Sequence, residues 1–416
     1  MHSFSRVSVV GLGYIGLPTA AVFADNGVEV VGVDTDPRVV ETVNRGRPHF
    51  GEPNLDALVR RVVEGGKLRA TSSPEAADAI LVAVPTPLAG HGEEARPDTS
   101  HVEAAARSIA SVLAAGALVV VESTVPVGTT ERVAAILAEL RPDLTFPHQA
   151  GEMAQVQIAH CPERVLPGRI LQEVVNNPRV IGGMTRKCAQ RAASLYKIVV
   201  QGECRVTNAR TAELAKLAEN AYRDVNIAFA NELSFISDRL RINVWELIGL
   251  ANLHPRVDIL SPGPGVGGHC IAVDPWFIVA TNPGEAKLIR QARLINDAKP
   301  AFVCAKVRER AAELKHPVIA CLGLSYKKDV DDLRESPAVE VVRRLAEERL
   351  GELLVVEPHI SALPPELTGL DLRLEDFDRA MERANLVLLL VDHMGFQQVD
   401  RDVLKDKFVI DTRGAW

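Results

Sequence analysis

The fold is indicated by a stretch near the amino terminus, residues 7–34, which reads VSVVGLGYIGLPTAAVFADNGVEVVGVD. A short apolar run breaks at Gly11, Gly13 and Gly16, and the residues after it are rich in alanine. A β-branched run follows and ends at Asp34. This order predicts a strand, a tight turn, a helix and a second strand. The stretch is therefore typical of a dinucleotide-binding βαβ unit.

The three glycines and the acid have separate tasks in such a unit. Gly11 permits the tight turn, Gly13 lets the backbone approach a pyrophosphate, and Gly16 lets the helix pack closely on the strand. The pyrophosphate then lies on the helix amino terminus. Asp34 stands where a carboxylate binds the adenosine ribose hydroxyls and repels the 2′-phosphate of NADP, so the sequence predicts NAD as the cofactor. The alternative is a glycine turn that serves packing alone.

Strand-like and helical runs continue in alternation through the first half of the chain. Apolar runs at 79–84 and 118–121 are separated by helical segments, which predicts a mostly parallel sheet in an NAD-binding domain, residues 1–205. Residues 211–240 contain neither proline nor glycine and keep apolar side chains at helical spacing. They predict a long central helix within a helical domain, residues 206–300.

The carboxyl-terminal part of the chain repeats the plan of the first domain. Its strand-like runs lie at 318–323, 353–356, 386–391 and 408–410. The second of these runs ends at Glu357, as the second strand of the first domain ends at Asp34. We therefore predict an α/β fold in which two Rossmann-like domains with mostly parallel sheets are joined by the helical middle domain, the second spanning residues 301–416.

Composition excludes several classes of protein. The 416 residues include 47% hydrophobic and 24% charged side chains, which is ordinary globular usage and excludes a fibrous or disordered chain. Lys and Arg number 47 against 54 Asp and Glu, and the net charge of −7 argues against a nucleic-acid partner or an anionic membrane surface. No apolar run approaches the roughly 20 residues of a membrane span, and we expect no targeting segment.

The cysteine pattern indicates a reducing compartment. The six cysteines form no C-x-x-C pair and have no histidine at zinc-finger spacing. We therefore expect neither a disulfide framework nor a metal site, and a location in the cytoplasm.

Cys270 is a candidate nucleophile. It ends the segment SPGPGVGGHC, residues 261–270, whose four glycines let the backbone fold tightly around a ligand. Its neighbours are small and polar, and Asp274 follows one helical turn later. A helix beginning at Cys270 would lower the pKa of the thiol through the positive end of its dipole. The alternative, a cysteine buried as a small hydrophobic residue, is what we expect for most of the others.

Three polar residues of the predicted long helix share one face. Lys216 and Asn220 are i,i+4 neighbours, and Arg223 follows within the next turn. The face is either part of a functional site or a solvated stripe, and helical spacing alone leaves both interpretations open.

Taken together, the segments resemble the UDP-glucose/GDP-mannose dehydrogenase family over essentially the whole chain. The resemblance rests on VGLGYIGLP at 10–18, VPTP at 84–87, ESTVPVGTT at 122–130, CPERVLPG at 161–168, AELAKLAENAYRDVNIAFANEL at 212–233, PGPGVGGHCIAVDP at 262–275 and LGLSYKKDVDDLRES at 322–336.

The resemblance implies a specific chemistry. Members oxidise the C6 alcohol of a nucleotide sugar to a carboxylate in two hydride transfers to NAD at one site. In this sequence it implies base chemistry from Lys216 and Asp274, and capture of the aldehyde by Cys270 as a thiohemiacetal and then a thioester. The oxyanion would be stabilised by Lys216 and Asn220.

The same resemblance assigns the remaining site residues. Glu163 or Asp274, with Thr124 nearby, would orient the water that hydrolyses the thioester. The residues implied for substrate binding are Arg164, Val165, Lys216, Asn220, Arg223, His254, Arg256, Gly267, Tyr326, Lys327 and Arg413. Those implied for the cofactor, beside the three glycines and Asp34, are Tyr14, Ile15, Thr86, Thr124 and Arg334. For Arg334 the alternative is a local salt bridge near Glu335.

The resemblance also implies partners. The carboxyl-terminal domain would bind the UDP-sugar, and the long helix would pair in a homodimer or a larger homo-oligomer. Residues 243–248, 254–257 and 272–280 are similar to the branch that oxidises UDP-N-acetyl-D-mannosamine for cell-surface polysaccharide synthesis. His269 stands where members acting on UDP-glucose typically have a serine, and this favours the branch that acts on N-acetylhexosamines.

Three alternatives stay open at this point. The first is the same reaction on UDP-N-acetylglucosamine or UDP-glucose. The second is a β-hydroxyacid dehydrogenase that performs a single oxidation, which would share the glycine turn and a helix lysine but would not need Cys270. The third is an NAD-sensing binding protein without turnover.

Overall fold

A computed structural model describes residues 4–90, 92–166, 168–268 and 270–416 of the chain. Its contacts divide the chain into two compact units. The first unit is Met1–His91 with Ala95–Ala218, and the second is Gly92–Glu94 with Glu219–Trp416. The division falls within a single long helix, whereas the sequence predicts boundaries after residues 205 and 300.

The first unit alternates strands and helices as predicted. Its elements are β1 (Arg6–Val10), α1 (Gly16–Asp25), β2 (Glu29–Val33), α2 (Pro37–Asn44), α3 (Leu55–Glu64), β3 (Leu68–Thr71), β4 (Ala79–Val82), β5 (Leu88–Ala89), β6 (Arg96–Pro97), α4 (Ser100–Ala110), β7 (Leu118–Val121), α5 (Thr129–Leu140), α6 (Pro147–Ala150), β8 (Gln157–His160), α7 (Ile170–Asn176), β9 (Arg179–Gly183), α8 (Arg186–Tyr196) and β10 (Cys204–Asn208).

The large sheet of this unit has the order β10-β9-β8-β7-β4-β1-β2-β3. All neighbouring strands run parallel except β8 and β9. Strands β4 and β7 are buried throughout, because helices cover both faces of the sheet. Helices α1, α3 and α8 pack on one face, and α4 and α5 pack on the other. The parallel register brings the ends of β1 and β2 to one edge, where the glycine turn and Asp34 lie.

The second unit contains the rest of the long helix and a smaller sheet. The elements that follow β10 are α9 (Ala209–Leu240), α10 (Val244–Ala251), α11 (Asp274–Thr281), α12 (Lys287–Ala311), β11 (Val318–Leu322), α13 (Pro337–Glu348), β12 (Glu352–Val356), α14 (Phe377–Arg383), β13 (Leu386–Leu389), α15 (Met394–Gln397) and β14 (Phe408–Asp411).

The small sheet is parallel and has the order β12-β11-β13-β14. The fold class is therefore confirmed: mostly parallel α/β sheets and a long helix of 32 residues. That helix, α9, is tied to α12 by a buried ion pair of 2.6 Å between Arg293 and Asp224, whose carboxylate also accepts a hydrogen bond from Asn296. Within the described residues, no helix combines the length and the apolar character that a membrane crossing needs.

Candidate active site

The glycine turn of the first unit has the geometry that its sequence predicts. Gly11 has a φ of +92°, and a Cβ at this position would lie 2.5 Å from the carbonyl oxygen of Ala83. A Cβ at Gly16 would lie 1.8 Å from the carbonyl oxygen of Gly11. Neither position tolerates a side chain without moving the backbone. The first and third glycines are therefore required by close contacts with neighbouring backbone.

The second glycine of the turn is open to backbone approach, and the acid is bound by two backbone N–H groups. No atom outside its own chain neighbours lies within 4 Å of the place where a Cβ of Gly13 would stand, so backbone approach is open there. The carboxylate of Asp34 accepts the backbone N–H of Leu12 at 2.9 Å and that of Asp36 at 3.0 Å. Each carboxylate oxygen keeps a further lone pair for a ribose hydroxyl. The turn, the amino terminus of α1 and Asp34 together fit NAD.

The other residues assigned to the cofactor lie around this turn and at the next strand ends. Tyr14 is 41% exposed, and its ring stacks on Phe50 with centroids 4.3 Å apart. Ile15 directly precedes α1. The hydroxyl of Thr86 donates to the carbonyl oxygen of Thr124 at 2.6 Å. Thr86, after β4, and Thr124, after β7, are thus in direct contact.

Glu163 is buried in an ion pair that the sequence does not predict. Its partner is Arg179, at the start of β9, and its other oxygen accepts the backbone N–H of Arg164 at 2.7 Å. The guanidinium of Arg164 donates to the carbonyl oxygen of Pro178, and Val165 packs against the hydrophobic core of the first unit. The carboxylate of Glu163 is therefore held by one arginine side chain and one backbone N–H group.

Glu122 lies in the same buried region. The hydroxyl of Tyr196 donates to one of its carboxylate oxygens at 2.6 Å. Burial raises the pKa of Glu122 to about 7, against the attraction of Arg179 and with a further increase from Glu163. The sequence motif at 122–130 contains this residue, but no residue pattern there indicates a carboxyl group that titrates near neutral pH.

Helix α9 is continuous through the three polar residues predicted to share a face. Lys216 is half-buried, Asn220 is buried, and Arg223 is exposed. Their exposures differ because α9 is covered along only part of its surface. A solvated stripe does not describe this face, since Asn220 is only 7% exposed.

Asn220 and Asp274 are brought together in the second unit. The side-chain amide of Asn220 donates to the carboxylate of Asp274 at 2.5 Å, and Asp274 is 3% exposed. The carbonyl oxygen of Cys270 accepts the backbone N–H groups of Val273 and Asp274 at 3.1 and 2.8 Å. Cys270 therefore begins a tight turn, and α11 begins at Asp274 rather than at Cys270 because Pro275 occupies its first turn. His269 lies outside the described residues.

The glycine loop before Cys270 packs against the loop that carries Tyr326. A Cβ at Gly267 would lie 2.8 Å from the Cβ of Tyr326, and the backbone N–H of Gly268 donates to the carbonyl oxygen of Arg334 at 3.1 Å. The pKa of Tyr326 is raised, chiefly by burial and further by the negative charges of Asp332 and Cys270. The carbonyl oxygen of the next residue, Lys327, accepts the hydroxyl of Ser325 at 2.7 Å.

Two predicted arginines have local partners. Arg334 forms a bidentate pair with Asp332, at 2.9 and 2.6 Å, so a local salt bridge is present although its partner is not Glu335. Arg413 bonds Asp392 at 2.9 Å, and its guanidinium would contact a Cβ placed on Gly263 at 2.7 Å. The guanidinium of Arg413 therefore lies beside Gly263 of the glycine loop.

His254 and Arg256 are both exposed. The backbone N–H of Arg256 donates to Nδ1 of His254 at 3.3 Å. This bond shapes the turn after α10 and leaves the guanidinium at the surface.

One buried group was missed by sequence reasoning. His393, which follows β13, is 1% exposed and lies 3.0 Å from the carboxylate of Glu357. That carboxylate accepts the backbone N–H groups of Leu324 and Ser325 at 2.8 and 3.1 Å. The available signal was the position of Glu357 at the end of a second strand, which matches Asp34, but no spacing connects it to His393.

Comparison with known proteins covers the whole chain. Residues 5–200, 210–298 and 320–416 match the NAD-binding, central and UDP-binding domains of the UDP-glucose/GDP-mannose dehydrogenase family. The chain is 58% identical to the NDP-N-acetyl-D-galactosaminuronic acid dehydrogenase of Ralstonia nicotianae, covering 99% of this chain and 96% of that protein. It is 57% identical to the UDP-N-acetyl-D-mannosamine dehydrogenase of Escherichia coli, over 100% of both chains.

A solved structure agrees with these relatives. The UDP-D-ManNAc dehydrogenase of Pyrococcus horikoshii is 39% identical, with a TM-score of 0.87 over 99% of this chain and 96% of that chain.

Proposed function

The chain belongs to the UDP-glucose/GDP-mannose dehydrogenase family, and on that premise we propose that it oxidises UDP-N-acetyl-D-mannosamine at C6 to UDP-N-acetyl-D-mannosaminuronate. It is an NAD-dependent nucleotide-sugar dehydrogenase with an NAD-binding and a UDP-binding domain. The observation that carries the four-electron chemistry is the turn at Cys270, which leads directly into the buried pair of Asp274 and Asn220.

NAD, when bound at the glycine turn, would accept one hydride, and a second molecule of NAD that replaces the NADH would accept the other. In the first, Lys216 and Asp274 act on the C6 hydroxyl proton, directly or through a water molecule. Asn220 lies one helical turn after Lys216 on α9, so the two side chains are on the same face of the helix. The product of this step is an aldehyde.

Cys270 then traps the aldehyde before it is released. Its sulfur bonds to C6, and the resulting oxyanion of the thiohemiacetal is stabilised by Lys216 and Asn220. The second hydride loss converts the thiohemiacetal into a thioester. The glycines before Cys270 support this proposal because they let the loop close around the sugar without side-chain clashes.

Hydrolysis completes the reaction. Water attacks the thioester carbon, the C–S bond breaks, and the carboxylate leaves while the thiol of Cys270 is restored. We assign Asp274 and Glu163, with Thr124, to orienting this water. Because Arg179 pairs with Glu163, we expect Glu163 to act mainly by orienting the water molecule.

Binding of the nucleotide sugar falls to a set of cationic and loop residues. Arginine side chains suit a diphosphate because their N–H groups form a planar fork. The residues that we assign are Arg164, Val165, Arg223, His254, Arg256, Gly267, Tyr326, Lys327 and Arg413, with Arg334 directed to the cofactor pyrophosphate.

Oligomeric state and domain division belong to the same proposal. Large apolar side chains on α9 are exposed at heptad-like spacing: Tyr222 (69%), Phe229 (51%), Ile236 (49%) and Leu240 (60%). Such a stripe supports pairing of α9 with a second copy of the chain.

We further propose three domains, 1–205, 206–300 and 301–416, a cytoplasmic location, and supply of the product to cell-surface polysaccharide synthesis.

The identity of the sugar in the nucleotide-sugar substrate is the part of the proposal to test first. One relative carries the name of an N-acetyl-D-galactosaminuronic acid dehydrogenase at nearly the same identity as one named for N-acetyl-D-mannosamine. The experiment is to count NADH per sugar at limiting UDP-N-acetyl-D-mannosamine under excess NAD, beside UDP-N-acetylgalactosamine, UDP-N-acetylglucosamine and UDP-glucose. We expect two NADH per sugar with the manno epimer alone. Two NADH with another sugar would overturn the substrate, and one NADH would overturn the role of Cys270.

A cysteine variant tests the covalent step. Cys270→Ser should abolish net acid formation, because serine is a poorer nucleophile toward the aldehyde and cannot form the thioester. Cys204→Ser is the matched control, since Cys204 is also partly exposed but lies on β10. Uronate formed by Cys270→Ser at the wild-type rate would refute the covalent route.

A further inference from the structure

His393 connects the second Rossmann-like sheet to the loop that carries Tyr326 and Lys327. Its Nδ1 accepts the backbone N–H of Asp329 at 2.9 Å, and its Nε2 lies 3.0 Å from a carboxylate oxygen of Glu357. The ring is 1% exposed. The side chain therefore bridges the end of β12 and the loop after β11.

The partners of His393 fix its tautomer. A backbone N–H can only donate, so Nδ1 must carry a lone pair, and the carboxylate of Glu357 can only accept, so Nε2 must carry the proton. The same carboxylate oxygen of Glu357 also receives the N–H groups of Leu324 and Ser325. Both ring nitrogens are thus used in hydrogen bonds within the protein.

The loop itself depends on the bond to Nδ1. Asp329 has a φ of +57°, a left-handed conformation that is strained for a side-chain residue. Its carboxylate accepts the backbone N–H of Met394, the residue after His393, at 3.0 Å. Two hydrogen bonds from one short segment therefore hold Asp329 in this conformation, two residues after Lys327.

The same region contains side chains close enough to hold a metal ion. Ligand atoms of Asp329, His359 and His393 lie within 4.8 Å of one another. The lone pair of Nδ1 of His393 is taken by the N–H of Asp329, and its Nε2 is protonated toward Glu357. The ring has no lone pair left for a cation, so the geometry favours a structural role.

We propose that His393 is a positioning residue that sets the loop 325–336 for nucleotide-sugar binding. It acts through the backbone of Asp329. Because the loop 325–336 packs on Gly267 and Gly268, His393 also affects the position of the glycine loop before Cys270. The proposal rests on the proposed function of Tyr326 and Lys327 in binding the UDP-sugar. It adds a residue that touches neither substrate nor cofactor.

Two conservative variants separate the two bonds of His393. Asparagine places an acceptor oxygen near the position of Nδ1, whereas glutamine places a donor N–H near the position of Nε2. We therefore expect His393→Asn to keep the bond to Asp329, and His393→Gln to keep only the bond to Glu357. His393→Ala keeps neither, and His316→Asn, an exposed histidine of the same unit, is the control.

The measurements are the Kd of UDP by calorimetry, KM for the nucleotide sugar and for NAD, kcat, and hydrogen exchange of the segment 325–336. For His393→Gln and His393→Ala we expect at least a tenfold rise in the Kd of UDP and in KM for the sugar. We also expect at least tenfold faster exchange of the loop, with KM for NAD unchanged. His393→Asn should stay within threefold of the wild type in each quantity.

The outcomes distinguish this inference from the proposed function. Wild-type-like UDP binding and exchange in His393→Gln would overturn the inference, and so would equal rises in KM for sugar and NAD. Wild-type protein that binds UDP but oxidises no sugar would overturn the proposed function alone. Wild-type protein that binds no UDP would overturn both.

Discussion

The sheets of the first and second units share one feature: a glycine turn follows a strand, and an acidic residue follows the neighbouring strand. The acidic residues differ in what else they bind. The strand orders β2-β1-β4-β7 and β12-β11-β13-β14 correspond one to one. Gly11 and Gly323 both have a φ of +92°, and each donates its N–H at 2.8 Å to the last residue of the neighbouring strand, Val33 or Val356. Asp34 and Glu357 then accept backbone N–H groups of the turn that follows.

The difference lies in what else these two carboxylates bind. Asp34 receives two backbone N–H groups and keeps lone pairs for a ribose. Glu357 receives three backbone N–H groups and the Nε2 proton of His393, and its side chain is fully buried. An acidic residue at the same strand end thus keeps lone pairs for a ligand in one sheet and is held by the protein itself in the other. A repeated fold does not imply a repeated site.

The largest expected effect comes from adding a methyl group to either glycine. In Gly11→Ala the Cβ would lie 2.5 Å from the oxygen of Ala83, and in Gly323→Ala it would lie 2.4 Å from the Cβ of Val391. We expect each to lower the free energy of unfolding of its unit by roughly 3 kcal/mol or more, from overpacking and a left-handed φ. Gly11→Ala should also abolish NAD binding, and Gly323→Ala should weaken UDP binding, both measured by calorimetry.

Gly27→Ala is the control for the glycine variants. Its φ of +87° is similar, but nothing lies within 4 Å of its Cβ position. It should therefore cost only about 1–2 kcal/mol and leave both ligands bound. Wild-type affinity of Gly11→Ala for NAD would contradict the comparison.

A smaller effect is expected from neutralising the two acids. Asp34→Asn should weaken NAD binding about 10- to 100-fold, since a hydrogen bond to a charged group contributes roughly 1.5–3 kcal/mol, and should leave UDP binding unchanged. It should also reduce discrimination against NADP. Glu357→Gln should do the reverse, weakening UDP and sparing NAD. Affinity measurements for all three nucleotides check this, and a loss of UDP binding in Asp34→Asn would break the assignment of one ligand to each unit.

The smallest effect is an opposite response of the two units to pH. The pKa of Glu122 in the first unit is raised from 4.5 to about 7, so its unit loses stability as pH rises from 4.5 to about 7. Burial raises the pKa of Glu357, but the hydrogen bonds from His393 and Leu324 outweigh it and the net pKa lies below 4.5. The second unit should therefore lose stability as pH falls through that lowered pKa.

Hydrogen exchange in β7 and β11 can follow the two units separately. We expect protection of β7 to fall as pH rises through the first window, and protection of β11 to fall on acidification. Glu122→Gln should flatten the dependence of the first unit between pH 5 and 7.5, and Glu357→Gln should flatten that of the second in acid. The same pH slope in both variants as in the wild type would show that other groups set it.

Much of the fold is readable from local patterns. The glycine turn before α1 and the long helix, predicted from 211–240 and observed at Ala209–Leu240, both follow from periodicity and special residues. The apolar run at 353–356 likewise predicts the strand that ends before Glu357. These features depend on neighbours in sequence, which is where such patterns carry information.

The rest of the site depends on contacts between distant segments. The pairing of Glu163 with Arg179 joins a loop to a strand, and the bond between His393 and Glu357 joins two strand ends. Neither has a spacing that a single sequence displays. Helix α11 begins at Asp274 and not at Cys270, because Pro275 fits the first turn of a helix and not its interior. The roles assigned to Cys270 and its neighbours stay predictions.

The strand order also bears on how the chain is made. All eight strands of the large sheet come from Arg6 to Asn208, and all four of the small sheet come from Val318 to Asp411. The first sheet can therefore be completed while the remaining half of the chain is still being synthesised. At about 5–20 residues per second, that interval is roughly 10–40 seconds. Within it, the nascent NAD-binding unit can fold on its own before the competing parallel strands of the second sheet leave the ribosome.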